Sequence, residues 1–178
     1  MPELSLVPAL DRPELLAEPV AAAIRGWKGS VPVEELRVAE IAPDAADTAT
    51  LCERYDVDLD ESGNCVVVAA KRGGQTRFAA CIVLATTRAD VNNLVRRHLE
   101  VRKASFAAMD VAVAETGMEY GGVTPVGLPA GWPVLVDAAV ARLPRVVIGS
   151  GLRRSKLVLP GAAIAELPGA EVLEGLGL

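Results

Sequence analysis

The chain has a single histidine, His98, in 178 residues. A Ser-His-Asp triad or a histidine-rich zinc site therefore has almost no material to be built from. Cysteine is scarce as well. Cys52, Cys65 and Cys81 make an odd count with no Cys-x-x-Cys pair, and each lies in or beside an apolar segment, so they read as buried thiols rather than as disulfide or metal partners. Aromatic residues make up 3% of the sequence, too few for an extended platform that stacks single-stranded nucleic acid. Positive charge is not in excess. A net charge of −5 and a pI near 5.0 argue against broad capture of a phosphate backbone, while leaving room for a local basic patch. No apolar run reaches the roughly 18 residues of a membrane span. The start Met1-Pro2-Glu3-Leu4-Ser5 lacks the basic opening of a signal peptide, and the expectation is a cytoplasmic protein with no membrane partner.

What is present is Ala, Val and Leu in quantity: 51% of the chain is hydrophobic, and the length suffices for one domain with a sizeable core. The spacing of Leu15, Leu16, Val20, Ala23 and Ile24 predicts a helix over Pro13–Trp27, and Val31–Ile41 reads as extended. Asp44 is placed to cap a short helix running through Leu51 to Tyr55, with Asp47 near its positive end. Asn64–Ala70 and Phe78–Leu84, joined at Gly73-Gly74, predict a hairpin buried on both faces. Thr87 is expected to cap a helix carrying Val91, Leu94, Val95, His98 and Leu99, and Ser105 to cap another that Gly117 ends. Val134–Val136, Val146–Ile148 and Leu157–Leu159 are strand candidates. This order of elements gives an α+β fold with a mixed sheet.

Two glycine-rich segments punctuate the second half. In the first, Gly121, Gly122 and Gly127 surround Pro125, a composition able to aim backbone N–H groups into one concavity, or simply to turn the chain. The second, Gly149-Ser150-Gly151, leaves one strand and enters another. It lacks the third glycine and the following helix of a dinucleotide-binding loop, since Arg154 and the strand Lys156–Leu159 stand there. Either these two segments line one pocket, with Thr124 and Ser150 as small polar groups, or they are tight turns with a solvated Arg153-Arg154 tip. Arg96, Arg97, Arg102 and Lys103 form the densest basic cluster, which could meet RNA phosphates or be a solvated helix face. Asp137 reads as a cap or surface charge, and Trp27 and Trp132 as packing anchors.

The order and spacing of these segments resemble the YbaK/prolyl-tRNA-synthetase-associated domain family, relatives of an editing domain of bacterial prolyl-tRNA synthetases. The residues that carry the likeness are Asp44–Tyr55, the hairpin from Asn64, Val101–Phe106, Glu115–Gly117, Gly122–Gly127, Val134–Asp137 and Val147–Arg154. The resemblance implies a compact α+β domain with a curved mixed sheet flanked by helices. Residues 44–176 would form the editing-type core of one domain spanning 1–178, with 1–43 an N-terminal extension packing on it. It also implies hydrolysis of the ester that links a wrong amino acid to tRNA, with no cofactor or metal. The partners implied are the aminoacyl-tRNA 3′ end and a tRNA synthetase, not DNA.

Carried over by position, Val123, Thr124, Pro125 and Gly127 would bind substrate together with Gly149, Ser150 and Gly151, and Gly122 would serve the chemistry. The chain departs from the family at Asn64, which stands where the family has a lysine; an amide can hydrogen-bond but carries no charge. Lys71, Lys103 and Lys156 are the nearby cations, and Lys156, beside the second glycine turn, is the favoured substitute. Asn64, Gly122 and Lys156 are thus the expected catalytic set. The competing reading is a non-catalytic aminoacyl-, nucleotide- or tRNA-binding module that has lost the lysine.

Overall fold

Long apolar runs able to bury both faces dictate the centre of the molecule, and in the computed structural model, which describes all residues from Met1 to Leu178, they form two sheets. The strands, in chain order, are β1 (Val7–Pro8), β2 (Arg37–Glu40), β3 (Gly63–Arg72), β4 (Gln75–Leu84), β5 (Lys103–Phe106), β6 (Val134–Asp137), β7 (Val146–Gly149), β8 (Ser155–Leu159) and β9 (Ala170–Leu173). One sheet has the order β1-β2-β8-β7 and is antiparallel throughout. The other, β5-β3-β4-β6-β9, is mixed, because β6 runs parallel to both β4 and β9. A bridge between Ser62 and Val147 links the two sheets at their edges.

Side-chain alternation sends each sheet's two faces to different cores. The largest core lies between the sheets: Ile82, Val134 and Val136 from the mixed sheet meet Ile148, Leu157 and Leu159 from the other, together with Val20 and Ile24 of helix α1 (Glu18–Arg25). Behind the mixed sheet, Val68, Cys81, Val83 and Leu135 pack on Val91 and Val95. Behind the antiparallel sheet, Ala39, Val147 and Val158 pack on Leu51 of helix α2 (Thr48–Arg54). This third core fixes the start of α2 against β8, and the candidate site lies there.

The hairpin of β3 and β4 forms as expected, with Gly73 and Gly74 both at positive φ, the pairing a two-residue hairpin turn requires. Several helix boundaries differ from the sequence-based expectation. The helix expected over Pro13–Trp27 is split into a single 3-10 turn at Pro13–Leu15 and α1, because Leu16 is extended and the Ala17 N–H bonds to the Ser150 carbonyl. Asp47, not Asp44, caps α2 by accepting from the Thr50 N–H at 3.0 Å, while Asp44 pairs with Arg54.

Thr87 caps nothing: its hydroxyl donates back to the Leu84 carbonyl, and the helix starts at Val91 as a widened turn, with the Val95 N–H reaching the Asp90 carbonyl, before α3 (Arg96–His98). Ser105 lies within β5, and helix α4 (Met109–Thr116) begins after Ala108 and ends at Gly117 in the left-handed conformation. His98 is exposed and faces Glu171, with Nε2 2.8 Å from the carboxylate, rather than the apolar side of its helix. Asp137 caps helix α5 (Ala138–Ala141) through the Ala139 N–H and accepts a second bond from Gly177. Helix α6 (Gly161–Ala165) and β9 complete the C-terminal part. No helix is long and apolar enough to cross a membrane.

Candidate functional site

The first turn of α2 draws together groups from both sheets. Lys156 of β8 shares a face with Val158, so strand alternation points it at α2, where its Nζ donates to the Ala46 carbonyl at 2.8 Å. Asn64, at the start of β3, accepts through Oδ1 from the Thr48 hydroxyl at 2.9 Å. Ala46 and Thr48 flank the capping residue Asp47, so Asn64 and Lys156 converge on the same helix terminus. Because the Thr48 hydroxyl occupies Oδ1, the Asn64 amide is oriented, and its Nδ2 donates to nothing within the protein although the residue is only half-buried.

Lys156 is 7% exposed. Burial pulls its pKa down to about 8; the Asp47 carboxylate opposes this and the Arg153 guanidinium reinforces it. Hydrogen bonds from Thr50 hold Asp47 below the ordinary carboxylate range. The thiols move the other way: burial pushes Cys81 up to about 12 and raises Cys65 and Cys52 as well, so none is poised as a nucleophile.

The two glycine segments pack against each other. The Gly151 N–H donates to the Gly122 carbonyl at 2.7 Å, and the Glu119 N–H to the Gly151 carbonyl at 2.8 Å. A Cβ on Gly122 would lie 2.8 Å from the Leu152 nitrogen, and one on Gly149 would lie 2.6 Å from the Gly122 oxygen. Glycine is needed here so that two backbones can touch. The Gly122 N–H is itself committed to the Glu119 carbonyl at 3.0 Å, which removes it as an anion donor. The neighbouring amides of Gly121 and Val123 have no partner in the protein. Arg153 ties this loop to the approach to α2: its guanidinium reaches the Tyr120 carbonyl at 3.0 Å and the Pro43 carbonyl at 3.2 Å and lies over the Tyr120 ring. It is therefore a strut and not a solvated tip.

The remaining expected residues are placed less uniformly. Ser150 is fully buried, its hydroxyl engaged by Ser155 and by the carbonyls of Leu152 and Ser155. Thr124 is fully buried too, and its hydroxyl is the one buried side-chain polar atom without a partner. Pro125 and Gly127 line a cavity of about 840 Å3 whose walls include Trp27 and Trp132 and none of Ala46, Thr48, Asn64 or Lys156. Gly127 packs on α1, since a Cβ there would meet the Pro19 oxygen at 2.4 Å. Sequence reasoning did not single out Thr48, whose bond to Asn64 no local spacing marks, or the bracing role of Arg153, which depends on a contact across 110 residues.

A family model described as the aminoacyl-tRNA editing domain matches residues 42–167. Among solved structures, a candidate trans-editing enzyme for prolyl tRNA synthetase superposes with a TM-score of 0.70 at 20% identity, covering 88% of this chain and 96% of that one. The hypothetical protein APE2540 gives 0.71 at 22% identity over 90% and 100% of the two chains. A structure from work on epitope backbone grafting onto scaffold proteins gives 0.73 at 20% identity over 89% and 95%. At these identities the three share the fold.

Proposed function

The chain belongs to the aminoacyl-tRNA editing domain family, and from that premise we propose that it is a trans-editing hydrolase that cleaves the ester of a mischarged tRNA. Residues 44–176 form the editing core in this reading, and 1–43 pack on it. The observation that carries the proposal is the oriented amide of Asn64 with two unused N–H donors at the position where the family has a lysine, beside the buried ammonium of Lys156.

The reaction needs few parts. Water attacks the ester carbonyl carbon, the carbonyl oxygen takes up negative charge, and the carbon–oxygen bond to the ribose breaks as that charge collapses. The ribose oxygen receives a proton, leaving free tRNA and a free amino acid. Donors aimed at the developing oxyanion lower the barrier without a triad. Asn64 Nδ2 supplies one in this proposal, and the free amides of Gly121 and Val123 supply others in place of Gly122. Lys156 acts as a positioning residue: bonded to the Ala46 carbonyl, it holds the start of α2, and its charge stands in for the family's lysine. A second sieve of this kind is useful because one methylene in a synthetic site discriminates by only about 1–3 kcal/mol.

The absence of lysine at position 64 favours a second reading, a binding module without catalysis. Hydrolysis of alanyl- and cysteinyl-tRNA made on a proline acceptor separates the two. The proposal expects turnover by the wild type and a loss of about 10²-fold or more in Asn64→Ala, the scale of removing one oxyanion donor. No turnover by the wild type, with activity appearing in Asn64→Lys, establishes the binding module.

A further inference from the structure

The end of the β3–β4 hairpin remote from Asn64 carries charge that the fold does not use. Lys71 and Lys103 are direct cross-strand partners, both exposed. Like charges placed opposite each other destabilise a sheet, and no carboxylate lies within 4 Å of either ammonium. At the same tip Arg72 and Arg77 are exposed and equally without an ion-pair partner. They line a depression of about 740 Å3 whose wall includes Phe78 and Trp132, stacked with ring centroids 5.4 Å apart. In a chain with net charge −5 and only two each of Phe, Trp and Tyr, the uncompensated Arg72 and Arg77 meet a half-buried aromatic pair in one depression, while Lys71 and Lys103 project from the opposite face of the same tip.

That chemistry suits a strand of RNA: lysine and arginine for phosphates, and an aromatic wall for an unpaired base. An acidic peptide would use the cations but not the flat wall. We infer that the hairpin tip is the surface on which the RNA of the tRNA substrate docks, with its phosphates spanning the tip from Arg72 and Arg77 on one face to Lys71 and Lys103 on the other. The inference rests on the tRNA reading above. Seven residues of strand separate Asn64 from Lys71, about 23 Å at about 3.3 Å per residue, a span of about seven stacked nucleotides at about 3.4 Å each. A 3′-terminal trinucleotide held at Asn64 is too short to reach the tip.

The test titrates unacylated tRNA bearing a proline acceptor stem against the wild type and the Lys71→Ala/Lys103→Ala/Arg77→Ala variant, by fluorescence anisotropy at several salt concentrations. The slope of log K against log salt is expected to fall by about 1 per cation removed, about 3 in all, with affinity down about tenfold or more. Lys71→Glu guards against misfolding: paired with Lys103, it is expected to raise Tm while weakening tRNA binding. Unchanged slopes overturn the inference, as does equal competition by polyglutamate. Hydrolysis of the aminoacylated trinucleotide is expected to be the same in wild type and triple variant. If the wild type hydrolyses neither the aminoacylated trinucleotide nor the mischarged tRNA while the slope still falls, the docking surface stands and the hydrolase reading fails.

Discussion

Replacing Lys156 by methionine should make the protein more stable at neutral pH and less so, in comparison, in alkali. The side chain is 7% exposed, and burial lowers its pKa from 10.5 to about 8. At 1.36 kcal/mol per unit, holding the ammonium in this position costs about 3 kcal/mol. Methionine fills a similar volume without charge but gives up the charge-assisted bond to the Ala46 carbonyl, worth about 2 kcal/mol. The net expectation at pH 7 is a gain of about 1 kcal/mol. The sign with pH follows from proton counting. Between pH 8 and 10.5 the unfolded chain still holds the lysine proton that the folded chain has released, so wild-type stability rises with pH through that window. Below pH 8 both states are protonated and the full penalty is present. The methionine variant lacks this titration, and its advantage should shrink by about 3 kcal/mol between pH 7 and 10.5. Urea denaturation of both proteins across that range measures the difference, and comparing the two removes contributions from the tyrosines and thiols they share. A difference that stays constant with pH, or a variant already less stable at pH 7, would refute the argument that Lys156 is a buried charge under strain.

Two further substitutions probe the loops. Gly122→Ala places a methyl group 2.8 Å from the Leu152 nitrogen and 2.9 Å from the Gly151 carbonyl carbon, backbone atoms that cannot swing away; it should cost about 1–3 kcal/mol in urea denaturation and abolish hydrolysis by parting the two loops. Thr124→Val removes a buried hydroxyl that bonds to nothing, and should stabilise by about 1–3 kcal/mol with no change in the urea m-value; a loss of stability would mean the hydroxyl has a partner.

The parts of the fold that were legible in the sequence are those where local chemistry decides. The β3–β4 hairpin announces itself by two apolar runs around Gly73-Gly74, and the end of α4 by Gly117, both adopting positive φ. The illegible parts are decided by distant partners. Nothing near Ala17 reveals that its N–H will bond to the Ser150 carbonyl and interrupt a helix, and nothing near Thr87 or Ser105 distinguishes a cap from a residue that bonds back or extends a strand. β9 was hidden because its pairing with β6 is parallel and only four residues long. In the candidate site, the glycines were visible, yet the reason for them, backbone contact between two loops more than twenty residues apart, was not.

In the proposed reading, Lys156 supplies from a second strand the charge that Asn64 lacks. A lysine at the start of β3 would approach the first turn of α2 from the mixed sheet; Lys156 approaches from the antiparallel sheet and bonds Ala46, one residue before the cap Asp47 and two before Asn64's partner Thr48. The helix terminus is the fixed element, held by Leu51 in its own core and by the Asp47 cap. Lys156 meets the Ala46 carbonyl there, within the field of the Asp47 carboxylate. The difference is desolvation: the β8 position buries the ammonium and drops its pKa to about 8, whereas Asn64 is only half-buried. If its charge supports catalysis, activity must therefore decline as pH rises through about 8, and Asn64→Lys/Lys156→Met, which returns the cation to the more solvated position, should carry that decline to higher pH. A pH profile of kcat/KM for the two proteins decides it: coincident profiles would mean that the ammonium of Lys156 serves the fold and not the reaction.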